Sequence, residues 1–159
     1  MTIEAAVKAC RETKYTGWQM VTFVQKYVNK HMKYATSNNR EFPKTAFMHG
    51  KGNAWQQAWC VNYILKQLNI RSELVYTTKA QFFADKEKKQ PAYEAGHIWC
   101  HVRLNDTVRD VCSCYKENLP GQVNFTPIAP VKRYNLLAQA GGYVNTVVKS
   151  SSPFEKGRL

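Results

Sequence analysis

The chain has 159 residues, which suits one domain with a sizeable core, and its 44% apolar and 13% aromatic content is that of a globular protein. It has no apolar run of about 18 residues and no signal-peptide pattern at its start, which excludes a membrane span and predicts a cytoplasmic protein unless export uses another route. The net charge of +12 favours an acidic protein or envelope polymer as partner, but the absence of an arginine-rich block, zinc-finger spacing or RNP-type aromatic motif argues against nucleic acid.

The first half of the chain predicts three helices. The first covers residues 2–13 with Thr2 as its N-cap, and the second covers residues 16–34. Residues 35–53, rich in Ser, Asn, Pro and Gly, predict a loop, and a third helix follows from Ala54 to Asn69. The second and third helices each carry an apolar stripe at spacings of three and four: Trp18, Val21, Val24, Val28 and Met32; then Ala54, Ala58, Val61, Leu65 and Leu68.

The second half predicts mainly strands. Residues 70–84 have strand composition, and the charged segment 85–96 predicts an exposed loop. Two further strands flank the turn residues Asn105 and Asp106, which is a hairpin pattern. Prolines make 120–130 irregular, and 131–148 predicts a helix, alone or passing into a strand. The expected fold class is α+β, with one domain over residues 1–150 and a flexible tail over 151–159.

The five cysteines are odd in number and widely scattered, which does not predict a disulfide framework. Cys112 and Cys114 could supply two metal ligands, with Cys100 or His101 as a third. Their C-x-C spacing differs from the usual C-x2-C of zinc sites, so buried reduced thiols are the favoured interpretation. We therefore expect no metal and no cofactor.

Three positions could together carry nucleophilic chemistry: the start of the third helix at Ala54, His97 on one strand and Asp110 on the next. A helix N-terminus lowers the pKa of a thiol and offers N–H groups to an oxyanion. A nearby histidine could take the thiol proton, and an aspartate could orient that histidine. Every part of a cysteine nucleophile site is present except the cysteine.

At these residues the sequence resembles the transglutaminase-like group of papain-like thiol enzymes. Gly52–Ala58, "GNAWQQA", is similar to the G-x-C-W-x-x-A of the nucleophile helix, and "HIWCHV" is similar to the H-x-W histidine element. The resemblance covers roughly residues 15–115. It implies N-terminal helices packed on an antiparallel sheet, a nucleophile position at Ala54 where Cys is expected, His97 as base, and Asp110 in "VRDVC" as the orienting acid.

The function implied by the resemblance is a thiol hydrolase, a peptidase or amidase that attacks a protein or peptide-like amide through a Cys-His-Asp triad. One alternative is acyl transfer to an amine, as in protein cross-linking or deamidation. Alanine has no nucleophilic atom, so the chain as written is expected to be inactive. Because His97, Trp99 and Asp110 remain, an introduced Cys-to-Ala change is favoured over a pseudoenzyme that binds peptides or polyanions.

Several residues compete for these roles. Cys60 is a rival nucleophile, but it lies six residues into the helix, where the N–H groups are already bonded. His101 is a rival base: a two-residue turn would place it opposite Asp110, whereas a four-residue turn would place Asp110 opposite Trp99. The H-x-W resemblance favours His97. Gln19 or Trp18 could donate to an oxyanion, and Trp55 and Trp99 could wall the groove. His31 and His49 are interpreted as surface or loop residues.

Overall fold

The computed structural model describes residues 1–135. The predicted domain end at 150, the tail over 151–159 and most of the helix expected over 131–148 lie outside the described residues. Residues 131–135 of that predicted helix are described, and they contain a short strand, Lys132–Arg133, instead. The elements are α1 (Ile3–Glu12), α2 (Gly17–His31), β1 (Lys33–Tyr34), α3 (Pro43–His49), β2 (Lys51–Gly52), α4 (Ala54–Gln67), β3 (Arg71–Phe82), β4 (Tyr93–Leu104), β5 (Thr107–Val111), β6 (Phe125–Pro127) and β7 (Lys132–Arg133).

The three predicted helices are confirmed, and a fourth was missed. Thr2 caps α1, because its side chain accepts a hydrogen bond from the Ala5 amide. Helix α3 lies inside the segment predicted as a loop. It begins at Pro43, whose fixed φ suits a first helical position, and it ends at Gly50 in the left-handed region with φ 75°. With only seven residues, α3 is too short to show an apolar period in the sequence.

The N-terminus of α4 is held by a complete capping box. The Asn53 side chain accepts from the Gln56 amide at 2.9 Å, and the Gln56 side chain accepts from the Asn53 amide at 2.9 Å. Gly52, just before the cap, has little room for a side chain: a Cβ there would lie 2.7 Å from Met32 Cε and 2.9 Å from Gln56 Oε1. The backbone at the start of α4 is therefore fixed by side chains as well as by the helix itself.

Replacing Asn53 with Ala should destabilise the domain by about 1–2 kcal/mol, because it leaves the Gln56 amide without its side-chain acceptor. Urea unfolding at neutral pH measures the change. Asn53→Asp is the matched control: it keeps the acceptor and should lose less than half as much. Equal losses in the two variants would mean that the capping hydrogen bond is not what stabilises this helix start.

The sheet is antiparallel and has the strand order β5-β4-β3-β6, with β7 also paired to β3. The predicted hairpin is confirmed: β4 and β5 are joined by the two residues Asn105 and Asp106, and the register pairs Leu104 with Thr107. Three boundaries were wrong. β4 begins at Tyr93 inside the predicted loop, β5 ends at Val111 rather than 115, and the segment expected to be irregular contains β6. Pairing with neighbouring strands, which local composition does not record, sets these limits.

Two apolar clusters cover the two faces of the sheet. On one face, Ile98, Cys100 and Val102 of β4 pack against the helices. On the other face, Trp99 of the same strand packs with Cys112 and Phe125. Alternate residues of a strand point to opposite faces, so His97 and His101 share the side of Trp99. Among residues 1–135, no helix combines the length and apolar character that crossing a membrane requires.

Candidate functional site

His97 is buried on the sheet face that carries the smaller cluster. Its ring lies edge-on to Phe82 and Phe125, with centroids 5.0 and 4.6 Å away, and is stacked with Trp99 at 5.8 Å. Its Nε2 lies 3.3 Å from Cys112 Sγ. The aromatic rings hold the imidazole in one orientation, and that orientation directs one nitrogen at a thiol.

Asp110 is the predicted orienting acid, but the structure pairs it with a different histidine. The register places Asp110 opposite His101, as the two-residue turn requires. Asp110 Oδ1 accepts from Trp99 Nε1 at 2.7 Å and from His101 Nε2 at 2.9 Å. The His101 hydrogen bond, supported by that from Trp99, lowers the pKa of Asp110 against the opposing effect of burial. The side chain that contacts His97 Nε2 is instead that of Cys112, two residues beyond Asp110.

Cys112, Ser113 and Cys114 form what we call the CSC segment, and both long helices bind it. From α2, Gln25 Nε2 donates to the Cys112 carbonyl at 2.8 Å, and Asn29 Nδ2 donates to the Ser113 carbonyl at 2.7 Å. From α4, Gln57 Oε1 accepts from Ser113 Oγ at 3.0 Å. These contacts fix the segment between the helices and the sheet, with the Cys112 side chain directed at His97.

The thiol of Cys112 is acidic. Its hydrogen bond with Cys114 and the nearby His97 together lower the pKa of Cys112 well below that of an ordinary thiol, although burial acts in the opposite direction. Where Cys112 is a thiolate, His97 Nε2 is the donor in this contact, since a thiolate can only accept, and Nδ1 is then the acceptor nitrogen. His97 Nδ1 is buried and has no hydrogen-bond partner among residues 1–135.

Ala54 is the first residue of α4 and is fully buried. It lies one helical turn before Gln57, which binds the CSC segment. Gly52, two residues before Ala54, lies against Met32, and Met32 and His97 line the same cavity. The start of α4 is thus linked to the region of His97 indirectly, through Gln57 and through Met32.

The other residues proposed from the sequence have no established role at this site. Gln19 is exposed on α2, whereas the buried glutamine of that helix is Gln25, which binds the CSC segment. Trp55 is half-buried, and its Nε1 has no hydrogen-bond partner among residues 1–135. Cys60 is buried in the helical core with its Sγ 3.5 Å from the Pro43 carbonyl, and burial raises its pKa, which is the opposite of what a nucleophile needs.

The remaining histidines lie away from this region. His49 is exposed and pairs with Glu41 at 3.0 Å. His31 is half-buried beside Tyr27, with ring centroids 4.3 Å apart, and burial lowers its pKa. The metal set considered from the sequence is not assembled, because His101 binds Asp110 and Cys100 Sγ lies 3.3 Å from the Ala58 carbonyl. Within residues 1–135, no three His, Cys, Asp or Glu side chains are grouped to hold a metal ion.

A cavity of about 610 Å³ opens beside His97. That volume is within the range of small-molecule and peptide-side-chain pockets. His97 and Cys114 line it; His97 is buried, whereas Cys114 is partly exposed. Its apolar walls are Met32, Tyr34, Phe82 and Tyr93.

Sequence reasoning missed Cys112. A signal was available: Cys112 is two residues after Asp110, and residues two apart in an extended strand share a face. The sequence analysis treated Cys112 and Cys114 only as possible metal ligands. Whether Cys112 meets His97 depends on how far β5 extends beyond the hairpin, which the sequence does not show.

No protein-family model matches this sequence, and no curated protein matches it. Among solved structures, the chain is similar to a protein from Cytophaga hutchinsonii proposed to be a cysteine protease, with a TM-score of 0.54 and 8% identity over 84% of this chain. The chain spans 49% of that protein's length. LapG from Legionella pneumophila aligns over 96% of this chain and 98% of its own, at 13% identity and a TM-score of 0.44. The first likeness shows the fold alone: α+β, with helices packed on an antiparallel sheet, as in that Cytophaga protein.

Proposed function

We propose that this domain is built for cysteine-peptidase or amidase chemistry, with residue 54 as the nucleophile position and His97 as the base. The observation that carries the proposal is the setting of His97: Nε2 lies 3.3 Å from Cys112 Sγ, and the buried Nδ1 has no partner among residues 1–135. A thiol at the start of α4 would supply that missing partner. Ala54 supplies none, so the chain as written does not perform covalent catalysis at this position.

In this mechanism the thiol at residue 54 gives its proton to His97 Nδ1 and attacks the amide carbonyl. The backbone N–H groups at the start of α4 stabilise the oxyanion, since helix N-terminal N–H groups have no partner within the helix. His97 then returns the proton to the leaving amine, and water releases the acyl group. Cys112, whose Sγ lies 3.3 Å from Nε2, takes the orienting position that the sequence resemblance implied for Asp110.

The substrate we propose is a protein or peptide segment with acidic side chains. Three lysines, Lys33, Lys88 and Lys116, line the cavity against one acidic residue, Asp85. Asp85 is already engaged by the Tyr115 hydroxyl at 2.5 Å. The rim is therefore basic, in agreement with the net charge of +12 for the whole chain.

Ala54→Cys tests the proposal. The variant should gain a sixth thiol that reacts with iodoacetamide at least about tenfold faster than any thiol of the parent chain apart from the CSC pair, because His97 deprotonates it. It should also cleave fluorescein-labelled casein, which the parent should not. Incorporation of a fluorescent primary amine into casein, measured in parallel, distinguishes acyl transfer from hydrolysis.

Three further variants make the result specific. Ala54→Ser keeps the size of the new side chain and should remain inactive. Ala54→Cys combined with His97→Gln should lose the rapid alkylation, since no base remains. Ala54→Cys combined with Asp110→Asn should keep most of the activity, because Asp110 contacts His101 rather than His97. A thiol at residue 54 that alkylates no faster than Cys60 would contradict the proposed function.

A second candidate function is non-catalytic binding of an acidic peptide in the same cavity. It is favoured by the chemistry at two positions: Ala54 has no nucleophilic atom, and a cysteine rather than a carboxylate contacts His97 Nε2. Only His97 of the three expected catalytic groups is then in place. An Ala54→Cys variant that is inactive, in a protein that binds a polyglutamate peptide through the lysine rim, would support this alternative.

A further inference from the structure

The CSC segment places two thiols near one imidazole. Cys112 Sγ lies 3.3 Å from His97 Nε2, and Cys114 follows two residues later in the chain. Cys112 is buried, whereas Cys114 is partly exposed and lines the cavity. We infer that Cys112 and Cys114 form a redox-active dithiol that a peroxide entering the cavity oxidises to an intramolecular disulfide.

The geometry of the backbone permits this bond. Two residues apart in a chain, Cα atoms are separated by at most about 7 Å, and disulfides span Cα separations up to about 6.8 Å. A slight contraction of the CSC segment is therefore sufficient. The segment is also bound by Gln25 and Asn29 of α2 and by Gln57 of α4, which fix Cys112 and Ser113 in place.

The other three cysteines provide a contrast within the same chain. Cys10, Cys60 and Cys100 are buried in the helical core, and burial raises the pKa of each. None of them lines the cavity or neighbours in the chain a cysteine that does, whereas Cys112 is two residues from Cys114, which lines it. Thiolates, not thiols, react with peroxides, so oxidation should be confined to the CSC pair.

The reaction proceeds in two balanced steps. In the first, the Cys112 thiolate attacks one oxygen of hydrogen peroxide, the O–O bond breaks, and the departing hydroxide takes a proton to leave as water. Cys112 is then a sulfenic acid. In the second, Cys114 sulfur attacks the Cys112 sulfur, its own proton goes to the departing hydroxyl group, and a second water leaves. Two thiol sulfurs are oxidised by one peroxide.

The disulfide would change the surroundings of His97. In the reduced protein Cys112 Sγ lies 3.3 Å from His97 Nε2, and a thiolate there is a good acceptor, whereas a disulfide sulfur carries no charge and is a poor one. Oxidation would thus weaken the contact that orients the imidazole. The inference uses no atom at residue 54 and holds for the chain as written, so it stands or falls separately from the proposed hydrolase chemistry.

The experiment treats the fully reduced full-length chain with a small molar excess of hydrogen peroxide and counts thiols under denaturing conditions. Five thiols should fall to three, and peptide mapping should find one product, lighter by two hydrogen atoms, that links Cys112 to Cys114. Dithiothreitol should restore all five. A chain that keeps five thiols, or one whose new disulfide includes Cys10, Cys60 or Cys100, overturns the inference.

Two variants separate the thiols. In Cys114→Ser the second step cannot occur, so Cys112 should stop at the sulfenic acid and be captured by dimedone, at a rate at least about tenfold above that of Cys60. Cys60→Ala should still lose two thiols, as does the parent chain. Dimedone capture spread evenly over all remaining cysteines in Cys114→Ser would contradict the assignment.

Discussion

Raising the pH from about 8.5 to 10.5 should remove most of the stability of this domain. Burial raises the pKa of Cys10 to about 11 and of Cys100 to about 12, and raises that of Cys60 as well, whereas an unfolded thiol titrates near 8.5. These groups therefore stabilise the folded state fully below about pH 8.5. Their contribution is lost as the pH rises, because the unfolded chain releases protons that the folded chain keeps.

The size of the effect follows from the linkage relation. Each thiol that is ionised only in the unfolded state lowers the free energy of unfolding by about 1.4 kcal/mol per pH unit. Three thiols over two units give about 8 kcal/mol, which is comparable to the whole stability of a typical domain. Cys114, whose hydrogen bond with Cys112 raises its pKa, acts in the same direction.

Urea unfolding at pH values of about 7.5, 8.5, 9.5 and 10.5 in the presence of a phosphine reductant measures this dependence. Cys10→Ala is the control, since it removes one buried thiol at little cost in volume. The variant should begin slightly less stable at pH 7.5, and its decline above pH 8.5 should be shallower by about 1.4 kcal/mol per pH unit. A free energy of unfolding that stays constant from about pH 8.5 to 10.5 would show that these thiols ionise as readily in the folded chain.

Trp99→Ala should destabilise the domain by about 3–5 kcal/mol, the range for truncating a buried aromatic side chain. Trp99 is completely buried, its ring lies 5.0 Å from that of Phe125, and its indole N–H is bound by Asp110 at 2.7 Å. The variant would leave a cavity under the sheet and remove one of the two donors to the carboxylate. It would also remove the ring on which His97 is stacked.

Thermal and urea unfolding measure the loss, with two comparisons. Trp99→Phe keeps an aromatic ring but not the N–H donor, so it should lose about half as much. Val108→Ala, at a 42% exposed position of the neighbouring strand, should change stability by less than about 1 kcal/mol. If the alanine variants at 99 and 108 lose similar amounts, Trp99 is not the packing centre that the structure indicates.

Much of the fold was predictable because its signals are local. The α+β class, the three longer helices and the two-residue hairpin turn are confirmed, since apolar period, capping residues and turn residues act within a few positions of each other. The start of α4 at Ala54 is the clearest case: Asn53 and Gln56 form the capping box that the helix requires. Helix α3 was missed because its seven residues show no period, and its stability comes from burying Ala46 and Phe47.

The sequence by itself predicted a helix start at Ala54 and a histidine, His97, on a strand beside Trp99, and the structure has both. Their catalytic roles are what we propose. Only the tertiary structure decided which side chain contacts that histidine. Asp110 and Cys112 share one face of the chain, so the period of two admits either. The hairpin register pairs Asp110 with His101. Beyond the end of β5, hydrogen bonds from the helices hold the CSC segment where Cys112 contacts His97. Strand register and helix docking are long-range properties, and no local pattern contains them.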